Sequence, residues 1–441
     1  MFRSFLKAIG VLFLIAALVM LAQAWEGIGK TATGERRARM ERSPQWHQVT
    51  FENPEPIENH FFELFKVSGS DDLSPKAPVP TVVPDFSKPP ENGLRVTWFG
   101  HSSTLVELDG TRILTDPMWS ERAGPLTWAG PQRYFPPVMP LEQLGRIDAV
   151  VVSHDHYDHM DHRTLIALKD QAAKFIVPLG AGAHLEYWGI APEKIVEVDW
   201  GDEVPVRDVT IVSTEVRHAT GRQVFDRDLT LWSGYALIGP MHRVYFSGDT
   251  GLFTGLETIG AKYGPFDLTM FEVGQYHRSW PDWHMGPEQA VLAHQKLRGR
   301  VFLPIHWGLL TLAYHAWTEP VERALLEAQR VGVTIVTPKP GESFEERVRE
   351  HAKKFIGRGE PGASEIMANV FNPDYLMKND LVYIGSPETV AAKLRRTAEE
   401  GVFNVFLGEF NFSDLPAADV MRSIRLFGEK VIPALRGYEP F

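Results

Sequence analysis

Cysteine is absent from all 441 residues. That excludes disulfides, thiolate metal sites and a cysteine nucleophile, so any metal must be held by His, Asp or Glu. It also fits an exported protein. A basic excess is missing too: the formal net charge is −11, whereas a nucleic-acid binder shows a positive balance or stripe. No nucleic-acid partner is expected. The hydrophobic fraction of 44% and charged fraction of 23% are ordinary for a globular chain. A length of 441 residues exceeds the ~250–300 that one core fills, so one large domain with appendages is expected.

What is present concentrates in IDAVVVSHDHYDHMDH, residues 147–162. An apolar run, Ala149 to Val152, ends at Ser153, and His154, His156, Asp158 and His159 follow. Such a run reads as a strand buried on both faces. If the backbone stays extended, His154 and His156 point the same way. Asp158 and His159 come where the chain turns into a helix carrying Thr164 to Leu168, with His162 expected on its exposed face. A histidine pair for one metal and a carboxylate with an imidazole for a second are the natural reading.

The N-terminus combines Arg3 and Lys7, an apolar core from Ala8 to Ala22, and Ala22-Gln23-Ala24. This is the pattern of a secretory signal peptide, and its length also approaches the ~20 residues of a membrane anchor. Residues 1–25 are therefore read as signal peptide or anchor, and the protein as exported or membrane-associated. Lys30, Arg36, Arg37, Arg39 and Arg42 follow the span and oppose export under the positive-inside rule. The membrane face stays open. Residues 26–93 are read as an extended arm, rich in Pro, Glu, Asp and Ser from 43 onward.

Regular structure is expected over 94–346. LRVTWFG, STLVELDG and TRILTDP alternate as paired strands, with Asp109-Gly110 as a hairpin turn. Residues 118–140 form a long loop of prolines and aromatics, either a contact for acyl chains or packed on itself. Further strands and helices alternate up to VTIVTPKPGE. Candidate ligands recur at strand ends: His154, His218, Asp249 and His306. A layered α/β fold with two sheets and outer helices fits this order.

Two adjacent ions could use His154, His156 and His218 on one side, and Asp158, His159 and His306 on the other, with Asp249 bridging. Nitrogen and oxygen donors suit zinc, with iron or manganese also accommodated. Two such ions lower the pKa of a shared water towards ~7, giving a hydroxide nucleophile for carbonyl or phosphorus. His101, after a strand in WFGHSST, reads as a hydrogen-bonding partner beneath the site. Asp116, in LTDP, reads as orienting a ligating histidine. His284, just before a helix start at Pro287, is either a general acid or oxyanion holder, or a surface-loop residue.

These stretches resemble the metallo-β-lactamase superfamily, and residues 94–320 resemble its N-acyl-phosphatidylethanolamine-hydrolysing phospholipase D family. The matching segments include WFGHSSTLVELDG, IDAVVVSHDHYDHMD, GPMHRVYFSGDTG, HMGPEQAV and IHWGLLTLAY. The resemblance implies an αββα sandwich, two Zn2+ and hydrolysis of a phospholipid phosphodiester at a membrane surface, with Asp158, Asp249 and His284 as catalytic residues. It places the metal ligands on His154, His156, Asp158, His159, His218, Asp249 and His306. After His218 the family carries an aromatic residue, whereas this chain has Ala219-Thr220. Bacterial members are also similar to sugar-lactone hydrolases, so lactone or ester hydrolysis is the alternative. A homo-oligomer is compatible with all of this.

The tail, 347–441, changes character. SPETVAAKLRRTAEEG reads as a helix capped by Ser386, VFNVFLG as a strand and ADVMRSIRLFGEKVIPAL as a second helix. The tail is similar to the C-terminal end of luciferase-like flavin monooxygenases, whose (β/α)₈ barrel needs eight strands. One strand and two helices cannot build a flavin pocket, so flavin is not expected. A structural appendage is, or a metal-binding scaffold whose tail recruits a flavoprotein partner.

Overall fold

The computed structural model describes residues 15, 18–60, 69–223, 225–345, 386–399 and 417–436. Most of the stretch read as signal peptide or anchor, 1–14 with 16 and 17, lies outside them. Among the described residues no helix is long and apolar enough to cross a membrane.

The arm read as extended begins instead with a helix, α1 (Gly34–Glu41). The segment GERRARME is rich in helix formers and places Arg37 and Glu41 one turn apart, 2.8 Å between Nε and Oε1. A small antiparallel hairpin follows, β1 (Trp46–His47) with β2 (Thr50–Phe51). Phe51 is buried with Val216 and Trp232 of the main domain. Beyond it the arm is irregular, fixed by single backbone bonds such as Ser70 N–H to Tyr314 O, 2.9 Å, and Val82 N–H to Pro340 O, 2.8 Å.

Six strands make the first sheet. β3 (Leu94–Trp98), β4 (Thr104–Leu108) and β5 (Thr111–Thr115) form a meander. Asp109 and Gly110 both take positive φ, 47° and 84°, which a two-residue hairpin turn of the primed type requires. β6 (Ala149–Val151), α2 (His162–Leu168), β7 (Phe175–Pro178), α3 (Gly182–Tyr187) and β8 (Ile195–Val198) then alternate. The order is β3-β4-β5-β6-β7-β8, parallel from β5 onward. The second sheet takes β9 (Glu203–Val206), β10 (Val209–Thr214), β11 (Gly234–Ile238) and β12 (Arg243–Phe246). After α4 (Leu256–Tyr263) come β13 (Phe266–Glu272), α5 (Pro287–Lys296), β14 (Gly299–Ile305), α6 (Glu319–Val331) and β15 (Thr334–Ile335). Its order is β15-β14-β13-β12-β11-β10-β9, parallel from β12 to β15.

The two sheets pack face to face in an αββα sandwich. Strand alternation decides which side chain goes where. Ala149 and Val151 enter the core shared by the sheets, with Leu268, Met270 and Leu303 from the other side. Val150 and Val152 turn outward and pack with Leu165, Leu168 and Leu185 of α2 and α3. The second sheet's outer face is covered by α4, α5 and α6 through Leu256, Val291 and Ala324. Each fully buried aliphatic side chain contributes ~1.5–3 kcal/mol, so the metal strand is anchored on both faces. The loop at 118–140 sends Met118, Ala123 and Phe135 inward to pack with Leu309 and Leu310, which follow β14.

Topology has one consequence for the site. In the first sheet β3, β5 and β6 run the same way, and in the second β10, β12, β13 and β14 do. All seven end at one edge of the sandwich. There they deliver His101, Asp116, the 154–159 loop, His218, Asp249, Glu272 and His306.

The chain divides into two compact units, residues 1–345 and 346–441. In the second, α7 (Pro387–Glu399) starts at Ser386, whose Oγ accepts the Thr389 N–H. α8 (Ala417–Leu426) continues through residue 435. Val390, Ala391 and Leu394 pack with Val431. The strand read in VFNVFLG lies outside the described residues.

Candidate metal centre

Five imidazoles and two carboxylates meet at the strand-end edge. β6 stops at Val151, so His154 and His156 are not on a strand as the sequence suggested. They converge because the loop turns back on itself, His159 and Met160 N–H both bonding His156 O at 3.1 and 2.8 Å. His154 Nε2 lies 2.8 Å from His156 Nδ1, and His218 Nε2 lies 3.4 Å from that same atom. Across from them, His159 Nε2 and His306 Nε2 are each 3.1 Å from Asp249 Oδ2. The same two nitrogens are 3.3 and 3.4 Å from Asp158 Oδ2. Asp249 Oδ2 also reaches the first group, 3.8 Å from His154 Nε2 and 3.7 Å from His218 Nε2.

These residues fit a metal. Tetrahedral donors ~2.0–2.1 Å from zinc stand about 3.3 Å from one another, the spacing of the four nitrogen–oxygen pairs around Asp158 and Asp249. His159 Nε2, His306 Nε2 and Asp249 Oδ1 are buried without a hydrogen-bond partner, which is costly unless something else engages them.

Three of the ligand rings are oriented from behind. His218 Nδ1–H donates to Trp283 O at 2.9 Å, leaving Nε2 for the site. The Ser153 hydroxyl donates to Asp116 Oδ2 at 2.5 Å and so accepts the His154 Nδ1–H at 2.9 Å. Asp116 Oδ2 takes the His159 Nδ1–H at 2.6 Å. His101 Nε2 lies 2.8 Å from Asp158 Oδ2; burial, then the neighbouring His306, push it down to about 4. A neutral His101 donates to Asp158 while that oxygen's other lone pair faces His159 and His306. The His101 backbone also ties the two sheets, its O accepting from His306 N–H at 3.0 Å and its N–H donating to Trp307 O at 3.1 Å.

Three of these positions hold positive φ without being glycine: His101 (54°), Asp116 (33°) and His306 (64°). Such strain costs about 1–3 kcal/mol per residue and persists where surrounding bonds over-determine it. Gly248 (φ 56°) has a different reason: a Cβ there would stand 2.3 Å from Ser153 Cβ. Only glycine lets the Asp249 turn approach the 153–159 loop this closely.

The electrostatics divide the cluster. Burial, and the charge of neighbouring imidazoles, push His154 well below the usual histidine value; burial also lowers His156 and His218. Against the same burial, the carboxylates Asp249, Asp158 and Asp116 hold His159 well above it. His306 is raised to about 10, chiefly by Asp249. In the bare protein those two protons neutralise the carboxylates, and a metal cation can take their place.

A family model described as a beta-lactamase superfamily domain matches residues 111–307. An uncharacterised protein of Mycobacterium tuberculosis is 44% identical over 318 residues, covering 69% of this chain and 85% of its own length. N-acyl-phosphatidylethanolamine-hydrolyzing phospholipase D 1 of Caenorhabditis elegans is 37% identical over 273 residues, covering 58% and 76%. The chain belongs to the metallo-β-lactamase superfamily, in the N-acyl-phosphatidylethanolamine-hydrolysing phospholipase D family. A metal-dependent hydrolase of Pyrobaculum aerophilum is 28% identical over 246 residues, covering 54% of this chain and 98% of its own. This superfamily member is a metal-dependent hydrolase.

Two residues of the hydrolase's centre were missed by sequence reasoning. Glu272, at the end of β13, is fully buried. Its Oε1 accepts the Thr250 N–H at 2.5 Å, and its Oε2 lies 2.6 Å from His284 Nδ1 and 3.4 Å from His306 Nδ1. Burial, then the charge of Asp249, push its carboxyl well above the usual range. Ser153 is the other. The signal was position: both stand at the C-terminal end of a strand bearing a ligand or neighbouring one. His284 is brought to the cluster, its ring centroid 5.1 Å from His306 and 5.2 Å from His218; the surface-loop alternative does not hold. His162, expected on an exposed face, is buried against Trp188, ring centroids 5.7 Å apart, because the chain at Gly27 covers it.

Proposed function

We propose that the protein is a dinuclear zinc phosphodiesterase, cleaving N-acyl-phosphatidylethanolamine or a related phospholipid in the manner of a phospholipase D. The observation that carries the reading is Asp249, whose Oδ2 stands within 3.1–3.8 Å of donors from both ligand groups. The substrate class rests on similarity to the Caenorhabditis elegans phospholipase. His154, His156 and His218 would hold one ion, Asp158, His159 and His306 the other, with Asp249 shared. Bound there, the ions supply a water of lowered pKa and positive charge against a developing oxyanion.

The chain's own residues do the rest. His284 engages Glu272 through Nδ1, so Nε2 is its free nitrogen, and 13% side-chain exposure lets it meet a substrate. A proton held in the Glu272–His284 pair can pass to the leaving alkoxide as the phosphorus–oxygen bond breaks. Contact with a membrane surface is part of the proposal. Trp25 and Trp128 are 60% and 55% exposed, and Trp128 Nε1 donates to Gln23 at 3.1 Å, which sets both indoles on neighbouring segments. Indoles favour the interfacial layer of a bilayer.

The test is metal content and activity on one preparation. Two zincs per chain, with phosphatidic acid released from N-acyl-phosphatidylethanolamine and lost in Asp158→Asn and His156→Ala, support the reading. Two zincs with lactone rather than phospholipid cleavage would keep the centre and replace the substrate. Absence of bound metal in the active protein would overturn it.

A further inference from the structure

We infer that Asn53 is a positioning residue for the ligand His218, so that the segment preceding the hydrolase fold is a working part of the metal centre. The inference rests on the dinuclear reading above.

His218 lies between β10 and β11 on a stretch without strand or helix of its own. A ligand there needs its backbone N–H and C=O fixed by something other than a sheet ladder. Asn53, 165 residues away, fixes both: its Nδ2 donates to His218 O at 2.7 Å, and its Oδ1 accepts the His218 N–H at 3.1 Å. The carboxamide thus imitates the two-bond exchange of paired antiparallel residues. Pro54 follows it and biases Asn53 to extended backbone.

The segment is held on both sides of Asn53. Before it, Phe51 is buried and its N–H donates to Asp228 O at 2.9 Å. After it, Glu55 Oε1 takes the Thr254 N–H and hydroxyl at 2.8 and 2.6 Å. The Arg217 guanidinium bonds Glu55 O, Pro56 O and Asp282 Oδ1. Glu58 N–H and His60 N–H donate to Asp282 Oδ2 and Ser279 O, both at 2.8 Å. Asp282 precedes Trp283, whose carbonyl orients the His218 ring. One strap, residues 51–60, therefore sets the ligand's backbone directly and its imidazole through Trp283.

A residue that merely docks the strap would move fold stability and leave the two metals alike; one that positions His218 would also weaken a single metal. The full chain carrying Asn53→Leu, which keeps the branched shape and removes both bonds, is compared with wild type by zinc content, chelator competition and thermal unfolding of the metal-free protein. Asn53→Asp, which retains the acceptor and loses the donor, is the milder second variant. Wild type is expected to hold two zincs. Asn53→Leu is expected to bind one of them about 10–100-fold more weakly, the range for lost outer partners of a ligand, with the other unchanged. The metal-free unfolding temperature is expected to fall modestly, because the variant leaves the His218 N–H and C=O without these partners, and Asn53→Asp to fall between on zinc affinity. Both zincs retained at wild-type affinity in Asn53→Leu, or both weakened equally, would overturn the inference alone, whatever the unfolding temperature does. A wild-type protein holding fewer than two zincs would overturn the dinuclear reading and the inference with it.

Discussion

The two ligand groups are built on different physics. Around His159 and His306 the donors alternate nitrogen and oxygen at 3.1–3.4 Å, backed by buried Asp116, Glu272 and His101. Around His154, His156 and His218 the donors are three imidazoles that burial keeps neutral, oriented by a hydroxyl and a backbone carbonyl. Charge prepares the first group, since its carboxylates attract a cation before any exists. Geometry prepares the second, which must be held in place by its scaffold. The contrast says where each half is fragile: the charged half to loss of a carboxylate, the neutral half to loss of a hydrogen bond.

Asp249 is the one residue common to both, so its loss should be the largest effect. Asp249→Asn keeps size and removes charge. It should strip both metals and abolish hydrolysis, a loss well beyond the roughly 10–100-fold of an outer partner. Zinc analysis with an activity assay checks it. Retention of one zinc in the neutral group would show that Asp249 serves only the charged half.

Proton release separates the halves without a mutation. His306, raised to about 10, and His159, raised well above its usual value, carry protons at pH 7 in the metal-free protein. Loading the charged half must expel them; loading the neutral half must not. Calorimetry of zinc binding in buffers of differing ionisation enthalpy should show about two protons leaving with one zinc and none with the other. The sign for stability follows. Because His306 titrates higher in the folded state, its contribution to the metal-free protein is complete below pH 6.5 and is lost as pH rises towards 10. Metal-free protein should therefore lose stability from pH 7 to 10, and zinc-loaded protein should not. Equal slopes would count against protonated His159 and His306.

Both halves were legible in the sequence because each has two of its ligands in one stretch. His154, His156, Asp158 and His159 within six residues leave little room for chance, and strand ends brought in His218, Asp249 and His306. The layered fold of two sheets and outer helices was legible too, from the order of strands and helices, and the αββα sandwich from the family resemblance. Glu272 was not, since DLTMFEVG reads as an ordinary strand and only pairing with β14 sets its carboxylate beside His306. His162 was misread because a helix start does not tell which face will be covered, and here the cover is the distant Gly27. The helix α1 was hidden for the opposite reason. Its residues favour helix, but the polar, proline-bearing context of the whole arm suggested none.

The finest comparison lies in the relay Ser153–Asp116–His159, which touches both halves. Asp116 Oδ2 meets the His159 ring at 2.6 Å and the Ser153 hydroxyl at 2.5 Å, and the same hydroxyl meets the His154 ring at 2.9 Å. Removing Ser153 leaves Asp116 with two other donors, the Ser153 N–H and His159. It leaves His154 Nδ1–H buried without an acceptor. Ser153→Ala should therefore weaken zinc in the neutral half, by a smaller factor than Asp116→Asn weakens it in the charged half. The hydroxyl forms a neutral bond, worth about 0.5–1.5 kcal/mol net, whereas the carboxylate's bond is charge-assisted, about 1.5–3 kcal/mol. Those ranges correspond to about 2–13-fold and about 13–160-fold in affinity. Chelator competition on both variants reads the two halves side by side. If Ser153→Ala weakened the charged half instead, the hydroxyl would be acting through Asp116, and the two halves would share one scaffold.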